Sequence, residues 1–141
     1  TIINLYNKKI LLMHGDTLCI DDTEYQKFRY MVRSEKWQKE MLKKPLNERL
    51  LLAKNLRTKS KNETDNKDEF IMDVNDEEVK KVILKHNADI LIHGHTHRPN
   101  IQKILFNNKE VKRIVLGDWY DKSYILELNK NKISISKSSL Y

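Results

Sequence analysis

Residues 89–99 run Asp89-Ile90-Leu91-Ile92-His93-Gly94-His95-Thr96-His97-Arg98-Pro99. Asp89 to His93 is short and apolar, the pattern of a strand covered on both faces. Directly after it come a glycine and two more imidazoles, at the strand end where open α/β sheets place their chemistry. A second stretch is built alike: Lys9 to Met13 is an apolar strand, and His14-Gly15-Asp16 follows it. Neutral imidazole is the commonest side-chain metal ligand, and a neighbouring glycine lets an ion or phosphate come close to the backbone. In an extended segment residues two apart point the same way, so His95 and His97 are expected to face one cavity. His93, the last residue of the apolar strand, is left out of that set. Asp16 stands two residues from His14 and is read as orienting its ring. Together these residues make half of a metal site, and the 141 residues contain no obvious second half.

Between the two strands the pattern is helical. Thr23 to Arg33 places Tyr25, Phe28 and Val32 on one face, with Thr23 and Gln26 spaced as a capping box. Glu35 to Leu42 sets Trp37 and Met41 one turn apart, and Pro45 ends that segment. Leu46 to Arg57 carries Leu46, Leu50, Ala53 and Leu56 as a stripe, which Leu51 and Leu52 widen beyond one core face. Thr58 to Glu69 is polar and aperiodic, so a loop is expected. Asn75 caps a further helix ending near His86. Beyond residue 99 the chain alternates as strands: Ile101 to Phe106, Lys112 to Leu116, Ser123 to Leu128 and Lys132 to Ser136, the last two joined through Asn129-Lys130-Asn131. The order predicts an α/β sandwich with a helical cap, about residues 23–69, inserted after the first apolar strand.

The chain is of single-domain size. Its net charge of +7 suits an anionic partner such as nucleic acid, an acidic membrane surface or a phosphorylated substrate. The aromatics Phe106, Trp119 and Tyr124 are too scattered for a base-stacking platform, so nucleic acid is not expected. One cysteine, Cys19, excludes an internal disulfide and agrees with a reducing cytoplasm. No apolar run approaches the ~20 residues that span a bilayer.

The stretch His93 to Pro99, taken with His14-Gly15-Asp16-Thr17-Leu18, resembles the calcineurin-like metallophosphoesterases. Further blocks narrow the resemblance to the enzymes of that superfamily acting in lipid A biosynthesis: Leu18 to Asp22 running into Tyr25 to Arg29, Ile71 to Val74, and Leu116 to Tyr120. The resemblance implies the β-sandwich flanked by helices, with the inserted cap. It also implies a dinuclear Mn2+ site, in which His14 and His95 bind one ion and His97 the other. The remaining ligands are then expected from a preceding segment of about a hundred residues, making this chain the C-terminal part of one domain and inactive alone. The implied substrate is UDP-2,3-diacylglucosamine, split at its pyrophosphate into UMP and 2,3-diacylglucosamine 1-phosphate. Asp22, Ser60, Thr64, Lys67 and His95 match the substrate-gripping positions, Thr64 standing where related sequences tend to carry Asn. His95 is also the catalytic candidate, and the implied location is the cytoplasmic face of the bacterial inner membrane, on an anionic surface. The competing expectations are a basic lipid-binding remnant without a complete site, or another nucleotide phosphoesterase of the superfamily.

Overall fold

A computed structural model describes residues 1–65, 71–106 and 109–140, with the backbone alone for Lys59 and residues 61–65. In chain order the elements are β1 (Ile2–Leu5), β2 (Lys8–Met13), α1 (Thr23–Arg33), α2 (Glu35–Lys43), α3 (Leu46–Asp65), α4 (Asp76–His86), β3 (Ile90–His93), β4 (Asn100–Phe106), β5 (Lys109–Val115), β6 (Lys122–Leu128) and β7 (Ile133–Ser139). They divide into two units, one of residues Thr1–Leu18 and Val74–Tyr141, the other of Cys19–Asp73.

The first unit is built on a five-stranded sheet in the order β1-β2-β3-β5-β4. Its centre is parallel: Met13 pairs with His93 and His93 with Val115, so β2, β3 and β5 end side by side. The edge strands β1 and β4 run antiparallel to their neighbours. Alternation puts Ile10, Ile90, Ile92 and Ile114 on one face, where Leu126, Leu128, Ile133 and Ile135 of the β6–β7 hairpin pack against them. This is the second layer of a sandwich, and each such buried aliphatic side chain stabilises it by about 1.5–3 kcal/mol. The opposite face carries Leu11, Leu91, Val111, His93 and Arg113, all buried. Arg113 Nη1 lies 3.9 Å from Asp76 at the start of α4, which places that helix over this face. Asn75 caps α4 as expected, accepting from the N–H groups of Glu77 and Glu78, and Asn87 closes it at φ 46°.

The second unit is helical, and two local expectations are corrected there. Thr23 and Gln26 do not form a capping box. Asp22 caps α1 instead, its Oδ1 accepting from Tyr25 N–H at 3.1 Å, while Gln26 Nε2 donates to the carbonyl of Cys19. The loop expected from Thr58 is helix as far as Asp65. No Pro or Gly lies between Pro45 and Gly94, so nothing breaks α3, and the Thr58 hydroxyl bonds back to the Lys54 carbonyl at 3.1 Å. The rest of that expected loop, residues 66–69, falls outside the described residues. In the first unit β1 is an edge strand not anticipated from the sequence. It turns into β2 through Tyr6 and Asn7, both at positive φ (51° and 58°), as a two-residue hairpin turn requires.

Candidate metal and phosphoryl site

Three loops leave the adjacent C-terminal ends of β2, β3 and β5: His14-Gly15-Asp16, Gly94 to His97, and Leu116 to Tyr120. The first two are tied directly, since Gly94 N–H donates to the His14 carbonyl at 3.0 Å. At Gly15 φ is 107°, and a Cβ there would stand 2.9 Å from His93 Nδ1 and 3.0 Å from the Gly94 carbonyl oxygen. Only glycine allows that approach.

The His14 and His95 rings lie together, centroids 5.1 Å apart and tilted by 55°. Asp16, buried at 3 % exposure, holds His14 through Nδ1 at 3.1 Å, as its expected orienting role requires. That contact leaves Nε2 of His14 for an ion. His97 is arranged likewise: its Nδ1 is 3.4 Å from Asp118 Oδ2, and its ring meets Tyr120 edge-on at 6.4 Å. In the sequence Asp118 stands out only as a member of a family block. Its partnership with His97 follows from β5 lying beside β3, which no local spacing announces.

The route to this arrangement differs from the expected one. The segment after β3 is not extended, for His95 and His97 have φ of 69° and 53°. Thr96 N–H returns to the Gly94 carbonyl at 2.9 Å, closing a three-residue turn on His95 that is rare and strained for an L-residue. Alternation along a strand therefore does not govern where these two side chains go. His14 and His95 are brought together, whereas His97 is paired with Asp118. Among the described residues no group of three or more His, Cys, Asp or Glu side chains is arranged to hold a metal ion.

The donor set nevertheless fits a divalent cation: imidazoles oriented by carboxylates, in a loop cluster at the strand ends. The Thr96 hydroxyl is buried there with no hydrogen-bond partner among the described residues, an orphan in want of a neighbour. The ring of His93, expected to lie outside the ligand set, is buried and accepts from Arg113 Nε at 3.1 Å. Of the other candidates, Asp22 is the cap of α1 and Ser60 is exposed on α3. Thr64 also falls on α3, its side chain undescribed, and Lys67 lies outside the described residues.

The family model for calcineurin-like phosphoesterases matches residues 1–99. Three curated relatives carry the name UDP-2,3-diacylglucosamine hydrolase. The relative from Marinobacter nauticus is 47% identical over 132 residues, covering 94% of this chain and 54% of its own length. Those from Aliivibrio fischeri and Cellvibrio japonicus are 44% and 42% identical, covering 97% and 96% of this chain and 57% and 56% of themselves. The chain thus spans about half the length of the curated relatives it matches.

Proposed function

The chain belongs to the calcineurin-like phosphoesterase family, and from that premise we propose that it forms part of a hydrolase of UDP-2,3-diacylglucosamine in lipid A synthesis. The products are UMP and 2,3-diacylglucosamine 1-phosphate. The observation that supports this most is the meeting of His14 and His95 at the ends of neighbouring parallel strands, with Asp16 behind His14. The relatives' shared name supports the substrate.

In this reading His14 and His95 hold one Mn2+ and His97 a second, and donors outside these 141 residues complete both shells. Bound divalent ions supply Lewis-acid charge to the attacked phosphoryl group and lower the pKa of water. The chain's own part is placement. Asp16 and Asp118 fix which ring nitrogen of His14 and His97 is offered, and His95 also meets the phosphate as charge develops on it. Asp22, Ser60, Thr64 and Lys67 on the helical unit grip the sugar and phosphate, Lys67 as a point charge. In this reading the 141 residues alone are inactive, and their span of about half the relatives' length supports it.

The helical unit favours a lipid over a soluble nucleotide. Leu42, Leu46, Leu50 and Leu51 are each more than 60% exposed, an apolar surface suited to acyl chains. Lys39, Lys43 and Lys44 pair with Glu35, Glu40 and Glu48 at 2.9–3.5 Å. Such exposed pairs are weak, so the lysines are available to acidic headgroups on the cytoplasmic face of the inner membrane. No helix among the described residues is long and apolar enough to cross a membrane.

The test is release of UMP from UDP-2,3-diacylglucosamine by the full-length protein. Activity should need manganese, vanish with chelator and fall at least about a hundredfold in His97→Ala, which removes a direct ligand. Near-normal turnover by that variant would overturn the ligand assignment.

A further inference from the structure

His93 is the third imidazole of the cluster and takes no part in the proposed ligand set. It is 1% exposed, on the sheet face opposite Ile92. Its Nδ1 lies 2.9 Å from the Gly94 carbonyl oxygen, so that nitrogen carries the proton and donates. Its Nε2 lies 3.1 Å from Nε of Arg113, a group that can only donate, so Nε2 must accept. Arg113 is itself buried at 9% exposure and directs Nη1 to Gln102 Oε1 at 3.3 Å. A neutral ring with one defined tautomer results, clamped from behind by a guanidinium on the neighbouring strand.

The carbonyl that His93 holds is the one closing the strained turn on His95, where it also accepts from Thr96 N–H. The same ring edge faces Gly15, in the loop that carries His14. We propose that His93, oriented by Arg113, is a positioning residue: it locks the Gly94 carbonyl and thereby holds His95 in the left-handed conformation that turns its ring toward His14. This rests on the reading of His14 and His95 as metal ligands. The turn at His95 is strained by its positive φ and persists because the surroundings over-determine it. Without the clamp the loop relaxes toward an extended form, and the two imidazoles no longer meet.

Two isosteric substitutions separate the parts of the clamp. In His93→Asn the amide nitrogen takes the place of Nδ1 and keeps the bond to Gly94. In His93→Gln the amide reaches only the Nε2 position, keeping an acceptor for Arg113 and losing Gly94. Titration of metal-free full-length protein with Mn2+ should show His93→Gln binding about 10- to 100-fold more weakly, the usual loss when an orienting partner of a ligand is removed. His93→Asn should stay close to wild type. Equal affinity in wild type and His93→Gln, or equal weakening in the two variants, would overturn the proposal. A wild type that binds no manganese would instead sink the underlying metal reading. A measurement on the unaltered protein stands whether or not the variants fold. Nitrogen-15 NMR of its histidines should find His93 as the Nδ1–H tautomer, and finding the proton on Nε2 would contradict the clamp.

Discussion

At Gly15 the two loops of the site come as close as a backbone permits. With φ at 107° and a would-be Cβ 2.9 Å from His93 Nδ1, Gly15→Ala must strain its own backbone or push His93 aside. The variant should lose about 1–3 kcal/mol of stability by urea unfolding. A variant as stable as wild type would mean that the loops do not meet there. The histidines themselves are legible in the sequence because each follows an apolar strand. Their conformations are not legible. Two-residue spacing argues for an extended segment, but His95 and His97 have positive φ, and the turn on His95 closes on Gly94, which the folded sheet ties to His14. Asp118 is hidden for a similar reason, since its partner lies on a different strand end.

Among the elements, those with strong periodicity or a clear cap can be read directly: α4 from Asn75, β3 from its apolar run, the β6–β7 hairpin from Asn129, whose Oδ1 accepts from the N–H groups of Asn131 and Lys132. The edge strand β1 escapes such a reading because it is only four residues long, apolar on both faces, and paired on one side only. Its signal is the Tyr6-Asn7 turn. The start of β3 is fixed by Asp89, which accepts from Lys9 N–H at 2.8 Å and pairs with Lys109 at 2.9 Å. Burial pushes this carboxyl up, but the Lys9 N–H, Lys109 and Lys8 together hold it below the usual aspartate range. A depressed folded-state value means stability that is present above the unfolded pKa, about 3.9, and lost as pH falls through the folded one. Asp89→Asn should therefore be less stable than wild type at pH 7, by about 0.5–1.5 kcal/mol. The gap should close in acid, once the pH has fallen below both the unfolded and the folded value. Urea unfolding at both pH values checks this, and a gap independent of pH would contradict the ion pair.

At the scale of the molecule, the sandwich carries the loops of the proposed metal site, and the helical unit presents leucines to solvent. An exposed leucine contributes little to folding, so Leu50→Gln with Leu51→Gln should leave the melting temperature nearly unchanged. If those side chains receive acyl groups, the double variant should raise KM for the diacylated substrate about tenfold, at ~0.8 kcal/mol for each methylene left in water. An unchanged KM would return them to ordinary surface. The central claim is the convergence of three imidazoles on divalent ions, and manganese anomalous scattering from crystals of the full-length protein tests it most directly. One peak is expected bonded to both His14 and His95, and a second bonded to His97. Manganese bound elsewhere, with these three rings bare, would contradict the claim.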